Sequence, residues 1–383
     1  MSISIFSFVM SVLWCDIFVV ASYLLRQRNG FLIHFSIYPI LLLMLASLSR
    51  LLFSLEFPFA VILHSDTVFP AIVTFFNTTL FAPLSGTVNI TVATAFLAIW
   101  VIGCCYSFFR IFFQHTRFQK TMSQEQATQE KKIYSILGRI TGECRLGGKT
   151  RVIQTSLVST PMVTGFFKPT IYLPDMPFSD DEMYYILLHE WTHFLHKDLW
   201  LKLLVQIICA IYWWNPIIYI LKHNLDQTLE IKSDLDMAGR MPEESKIQYL
   251  KTILKVARNT NGRGQAPAPH TALQFVANNR REWMKQRFYM VLESEPQKPS
   301  QKPTVPLFHI FTITLFAISY LFVIQPRFKP PSQENGTLIY DINPDNAYLI
   351  DNADTTYSLY IDGQFLLDTD DITSEPYSTL PIQ

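Results

Sequence analysis

Charge is scarce in this 383-residue chain: charged residues make up 16%, and 31 basic residues are matched by 31 acidic ones. Without a surplus of positive charge there is no footprint for a phosphate backbone, so direct nucleic-acid binding is not expected. The five cysteines (Cys15, Cys104, Cys105, Cys144, Cys209) include no Cys-x-x-Cys pair, and the C-terminal tail has none. Neither a disulfide framework nor a cysteine-ligated metal is expected. No internal repeat is visible. Lysine and arginine are missing altogether from residues 54–89 and 330–383.

What fills the chain instead is apolar sequence, 49% of all residues, gathered in runs at 3–25, 31–53, 90–109 and 306–325. Each approaches or exceeds the ~20 residues a helix needs to cross a bilayer. No basic residue precedes the first run and no small-x-small site follows it, so it reads as a retained span, not a signal peptide. Arg26 and Arg28 after that run place the first loop in the cytoplasm and the N-terminus outside. The stretch 54–89 is then external, and Arg110, Arg117, Lys120, Lys131 and Lys132 mark the return to the cytoplasm. The expected division is an N-terminal membrane region with three transmembrane helices (1–113), a cytoplasmic domain (114–305), a fourth transmembrane helix (306–325) and a small extracytoplasmic tail (326–383).

The cytoplasmic part reads as folded. Residues 123–138 form an amphipathic pattern, GGKTRVIQT suggests a turn into a strand, and STPMVTGFFKPTIYLP reads as strand, turn, strand around Gly165 and Pro169. Ser179 and Glu182 form a capping box that opens a helix. Helices are expected again over 242–258 and 272–292. In the tail, alternation in TLIYDI, AYLID and YSLYIDGQFLL suggests short strands.

The capped helix carries LLHEWTHFLHKD, residues 187–198. Residues four apart on a helix share a face, so His189 and His193 can present two imidazoles to one metal ion. Zinc acidifies water towards a pKa of ~7, and Glu190 can take the proton and pass it to a leaving amine. A catalytic zinc takes a third protein ligand. Glu230 in LEIKSDLDMAG is the better candidate, because His196 points the wrong way for the same ion. Asp234, one turn past Glu230, can accept from a ligand histidine's other N–H. Asp198 can play a similar part or cap the helix end. The competing reading makes His189 and His193 satisfied core histidines. His196 alone reads as a surface or packing residue, Asp236 as solvated, and Trp213-Trp214 as an interfacial anchor.

Residues 199–221 are long enough to span, yet a straight crossing would leave Glu230 on the far side of the membrane from His189. Asn215-Pro216 breaks the run, so a bent, membrane-associated pair of helices is expected that returns Glu230 to the site.

The chain resembles the BlaR/MecR-type membrane metallopeptidases, a signal-transducing antirepressor family of bacteria. The resemblance rests on Pro161, Gly165, Pro169–Pro174, HEWTH with Asp198, Asn215-Pro216, Glu230 with Asp234, and KQRFYMVL at 285–292. It implies a mainly α, multi-pass membrane protein with a gluzincin-like zinc metallopeptidase domain (α with a small β element) and a short β-rich tail. It also implies Zn2+ held by His189, His193 and Glu230, with Glu190 as catalytic base. In the family an outside signal activates an inside protease that cleaves itself and promotes loss of a DNA-binding repressor. The location implied is the bacterial cytoplasmic membrane. Partners are the lipid bilayer, a protein substrate such as a transcriptional repressor, and a second copy of the chain as a homodimer. Beta-lactam sensing is not expected, since about fifty residues follow the last run and carry no Ser-x-x-Lys motif. Trp191-Thr192 inside the motif departs from the family's usual small apolar pair. Two other functions are weighed: a housekeeping membrane protease of the prenyl-protease or heat-shock-protease type, and an inactive receptor or scaffold.

Overall fold

A computed structural model describes residues 4–81, 90–143, 150–262, 280–294 and 304–326, and most positions between 342 and 382. The chain is mostly helical and forms two compact units, residues 1–64 with 72–325, and 65–71 with 326–383.

The larger unit starts with α1 (Ile5–Arg26), opened by a capping box in which Ser4 and Ser7 exchange hydrogen bonds. It is followed by α2 (Asn29–Phe35) and α3 (Tyr38–Leu52), and α1 packs chiefly along α3. The apolar run 31–53 is therefore not one straight helix, since α2 and α3 meet at 98°. Two residues account for the bend. Ser36 adopts a left-handed φ of +68°, and Pro39 sits in the first turn of α3, where proline starts a helix but cannot continue one. After β1 (Val61–Ser65), α4 (Val68–Asn77), β2 (Thr79–Phe81) and β3 (Ile90–Thr91) comes α5 (Val92–Met122), which runs well past the expected 90–109. Among the described residues, α1 and α5 are long and apolar enough to cross a membrane, and the bent pair would make a third span.

The next elements frame a small α/β layer. α6 is Lys131–Glu143, and β4 (Arg151–Thr155), β5 (Met162–Thr164) and β6 (Thr170–Pro174) form a sheet in the order β4-β6-β5. β4 runs parallel to β6 and β5 antiparallel to it. The β5–β6 turn needs Gly165, whose φ is +91° and where a Cβ would strike the Lys168 carbonyl oxygen. The helix expected over 123–138 begins only at Lys131, because the segment before it lies beside β4, with the Thr128 N–H donating to the Val152 carbonyl at 2.9 Å. α7 (Asp180–Leu195) opens with the Ser179–Glu182 capping box and packs Met183, Ile186, Leu187 and Trp191 against α6 and the sheet.

α8 (Asp198–Ile211) and α9 (Pro216–Ala238) follow, and the break at Asn215-Pro216 is present. The Asn215 side chain accepts from the Ile217 N–H at 2.9 Å and donates to Asp16 of α1 at 2.9 Å. The two helices form an antiparallel hairpin: Cys209 lies near Ile218, Gln206 near Lys222, and Lys202 near Asp226. α9 packs against α1, α3, α7, α8 and α11 (Arg280–Leu292), with α10 (Glu243–Gly262) against α7 and α11. Of the helix expected over 272–292, residues 272–279 lie outside the described residues. A buried polar knot ties the end of α1 to α9 and α11: Arg26 donates to Asn224 and to Gln286 at 3.1 Å, and Gln286 donates to the Arg26 carbonyl at 2.8 Å. The last apolar run also differs from expectation. α12 (Thr304–Ile318) has 15 residues and gives way to β7 (Phe322–Pro326), which pairs with β1. Phe322, Val323 and Ile324 are strand formers, and the pairing satisfies their backbone.

In the smaller unit, β8 (Ala347–Asp351), β9 (Tyr357–Ile361) and β10 (Gln364–Thr369) form an antiparallel meander over Ala347, Leu349, Leu359 and Ile361. TLIYDI at 337–342 lies outside the described residues except for Ile342.

One contact fixes α5 to the hairpin. Trp213 lies against Gly103, where any Cβ would overlap the indole, and the Trp100 indole N–H donates to the Ile211 carbonyl at 2.9 Å. Gly103→Leu must push Trp213 aside. Overpacking of this kind costs about 1–3 kcal/mol, so the detergent-solubilised variant should melt several degrees below wild type. An unchanged Tm would show that the contact is not formed.

Candidate metal centre

α7 presents His189, Glu190 and His193, and α9 presents Glu230 and Asp234. The histidine spacing puts both Nε2 atoms on one side of α7, 3.1 Å apart. Glu230 closes the triangle, with Oε2 3.3 Å from His189 Nε2 and Oε1 3.4 Å from His193 Nε2. A tetrahedral ion with bonds of ~2.0–2.1 Å needs ligand atoms about 3.3–3.4 Å apart, so this donor set fits one ion. Among the described residues it is the group of three metal-ligating side chains whose ligand atoms all lie within 4.8 Å.

The outward-facing ring nitrogens are held from behind. His193 Nδ1 is 2.7 Å from Asp198 Oδ2 and 3.2 Å from Ser233 Oγ. Asp198 reaches it because α7 ends at Leu195, with His196 as its cap, and Lys197 turns left-handed, φ +58°, before α8 begins at Asp198. A continuing helix would have carried residue 198 away from the face of residue 193. His189 Nδ1 meets the Tyr249 hydroxyl of α10 at 2.9 Å. Tyr249 in turn donates to Asp234 Oδ1 at 2.6 Å, while Asp234 itself stays 3.6 Å from the ring. The tyrosine is thus a bridge between the histidine and the acid that sequence spacing had paired directly.

Asp234 is fully buried and takes a forked bond from Arg287 of α11, at 2.6 Å from Nε and 2.8 Å from Nη2. Such bidentate charge-assisted pairs are among the stronger protein hydrogen bonds. Arg287 also lies 3.6 Å from Glu230. Burial alone pulls the guanidinium pKa down, but the Asp234 carboxylate outweighs it and pushes the arginine pKa up. Burial likewise pushes Glu230 up, but hydrogen bonds with His189 and His193 and the charge of Arg287 hold it well below the usual carboxylate range. Burial pulls His193 down, yet Asp198 and Glu230 raise it to about 10. The Tyr249 phenol is pushed up by burial and by Asp234. Glu190 is buried beside His189, and its charge also favours protonated His193.

Tyr249, Ser233 and Arg287 are the groups that sequence reasoning missed as site residues. Arg287 lay in the quoted KQRFYMVL helix, but nothing local pointed it at Asp234. His196 pairs with Asp236 at 2.9 Å, so Asp236 is partnered and not merely solvated, and neither joins the ligand triangle.

The pKa directions set a pH profile for chelator-treated protein. A folded pKa raised above the unfolded one stabilises fully below the unfolded value and is lost as pH rises through the folded value. The His193 contribution is therefore complete below 6.5 and lost towards about 10. Glu230, depressed, contributes above 4.5 and loses that as pH falls further. The Tm advantage of metal-free wild type over His193→Gln should shrink as pH rises from 6.5 towards about 10. An advantage independent of pH would contradict the charged pair.

Comparison with known proteins identifies a family. Residues 7–291 match the family described as BlaR1 peptidase M56. The chain is similar to the regulatory protein BlaR1 of Bacillus licheniformis, 25% identical over 227 residues, which cover 59% of this chain and 37% of that protein. It is similar also to the methicillin resistance mecR1 protein of Staphylococcus aureus strain Mu50, 28% identical over 165 residues, 42% of this chain and 27% of the relative. The regulatory protein BlaR1 of Staphylococcus aureus matches at 22% over 170 residues, 44% of this chain and 28% of that protein. The matched region spans roughly a third of the length of these curated relatives. Since the family match takes in α1, the ligand triangle and Arg287, this chain belongs to the BlaR1 peptidase M56 family.

Proposed function

We propose that the chain is an integral-membrane zinc endopeptidase that turns an extracytoplasmic signal into proteolysis of a cytoplasmic protein or of itself. The observation that carries this reading is the convergence of His189, His193 and Glu230 with both outer ring nitrogens tied back. A core histidine pair would need partners, but not a carboxylate completing a ligand triangle with an acid one residue away on α7.

His189, His193 and Glu230 would hold the ion, as the fit of their spacing supports. When bound, zinc supplies Lewis acidity that acidifies water and polarises a peptide carbonyl. The chain's own groups do the rest. Glu190 takes the proton of the attacking water and returns it to the leaving amine. Tyr249 and Asp198 fix the orientation of the two imidazoles, and the forked bond from Arg287 holds Asp234 behind Tyr249.

The membrane reading draws on α1, α5 and the bent α2–α3 pair, and on the basic residues Arg26, Arg28, Arg110 and Arg117 that follow spans. It puts the N-terminus and residues 54–89 outside and residues 114–305 inside the bacterial cytoplasmic membrane, with 326–383 as an external tail. The substrate class it suggests is a cytoplasmic regulatory protein such as a repressor; a homodimer is compatible with this scheme. No contact with nucleic acid is proposed.

Wild type and Glu190→Gln should be compared in nanodiscs by mapping new N-termini in the protein itself and in cytoplasmic proteins. Loss of a general base lowers the rate about 10²–10⁴-fold, and the variant should still hold one zinc per chain. Equal cleavage by both proteins, or wild type that takes up no zinc, would refute the enzyme. Tyr249→Phe strands His189 Nδ1 and Asp234 together. Zinc affinity should fall about 10–100-fold with the fold intact, measured by competition with a chelating dye. Undiminished affinity would mean that Tyr249 does not orient the ligand.

A further inference from the structure

The β5–β6 turn carries Phe166, Phe167 and Lys168, and its aromatic rings meet Trp200 near the start of α8. The ring centroids of Phe166 and Phe167 lie 4.8 and 5.5 Å from that of Trp200. The cluster is unusually open. Phe167 is 82% exposed and Trp200 43%, and Lys168 and Lys197 beside them are exposed as well. A water-facing loop has no reason to order two phenylalanines and a tryptophan against each other while leaving Phe167 and Trp200 wet.

α5 shows how deep this cluster lies. At one level Trp100 and Cys104 reach the Ile211 carbonyl and Trp213 rests on Gly103, so the α8–α9 turn sits beside residues 100–104. At another level Phe118 stacks edge-on against Tyr172 of β6, 5.9 Å between centroids, and Tyr172 is in register with Met162 of β5. The 14 residues from Cys104 to Phe118 climb about 21 Å, and the 14 residues of α8 climb the same distance back. Trp200 therefore lies some 16 Å from the α8–α9 turn, level with the part of α5 near residue 113. The apolar part of α5, residues 92–109, is about 27 Å long, close to the thickness of a hydrocarbon core, and Arg110 and Arg117 mark its inner edge. Aromatic rings with neighbouring lysines at that level suit the headgroup boundary.

We infer that Phe166, Phe167 and Trp200 form a second, interfacial foothold on the inner leaflet, with Lys168 and Lys197 facing lipid phosphates. This rests on the membrane reading above and deepens it. The foothold sits on β5–β6 and on the first turns of α8, directly after Asp198, which holds His193. The metal centre is thereby held at a fixed height, which favours substrate segments that run close to the bilayer.

The full chain in nanodiscs of phosphatidylcholine and phosphatidylglycerol, a fraction carrying an acyl-chain diazirine, tests this by photolysis and peptide mapping. Adducts are expected on the peptides holding Phe166–Phe167 and Trp200, together with α1 and α5. Adducts on α1 and α5 but none on those peptides would overturn the foothold and leave the membrane reading intact. No adducts on α1 or α5 would overturn both. The double variant Phe166→Asp, Phe167→Asp, checked for fold by circular dichroism, should reduce adducts at Trp200 about threefold or more. If the Phe166–Phe167 and Trp200 peptides of the wild type stay unlabelled while the double variant loses cleavage of a protein substrate, the cluster docks protein, not lipid, and the inference fails.

Discussion

The candidate site depends on the chain turning back between α8 and α9. His189 and Glu230 are 41 positions apart, and 14 of the residues between them form an apolar helix that could have carried α9 away from the site. The turn at Tyr212–Asn215 prevents that. Proline at the first position of α9 supplies a backbone that can begin a helix but not continue α8, and Asn215 closes the free N–H of Ile217. Its other hand grips Asp16, so a carboxylate that looks out of place in an apolar run is the brace that holds the turn against α1.

With the hairpin closed, α9 becomes the element that every other part of the site refers to. It offers Glu230 towards α7, Ser233 behind His193, and Asp234 towards α10 and α11. The acids concentrated there would repel one another if left alone. Arg287 offsets two of them at once, and Tyr249 passes the charge of Asp234 on to His189 without bringing the carboxylate itself to the ring. Removing one side of a buried, forked ion pair commonly costs about 3–5 kcal/mol, since the other charge is left stranded in a poor solvent. The centre is thus built less on propensity than on mutual neutralisation among helices from distant parts of the chain.

How much of this was legible in the sequence follows from how far apart the interacting residues are. The Ser179–Glu182 capping box, the turn at Gly165 and Pro169, the i, i+4 histidines and the break at Pro216 obey rules that act over a few residues, and each stands where the sequence places it. The five other candidate residues named with His189 lie in or beside the ligand triangle, although their chemical roles rest on proposal. Tyr249 and Arg287 were invisible because their partners are 60 and 53 residues away and no spacing rule reaches that far. The bend between α2 and α3 was hidden for another reason. Apolar composition records that a segment avoids water, not the direction it takes, and the left-handed φ of a single serine is not written in composition. The shortened α12 shows the same ambiguity, as a greasy run can finish as a strand when an edge is there to receive it.

The polar knot around Arg26, Asn224 and Gln286 bears on how the molecule is made. Gln286 adjoins Arg287, so the residue that fastens α11 to the first helix sits next to the one that neutralises Asp234. During translation both histidines and Glu230 emerge nearly sixty residues before Arg287. At ordinary elongation rates that interval is roughly 3–12 s. A nascent chain in that interval owns every candidate ligand but lacks the cation that balances Asp234, and α11, besides packing on α9 and α10, must meet the end of α1, 260 positions earlier in the chain. The finished centre therefore matures late, and its completion is tied to correct placement of α1.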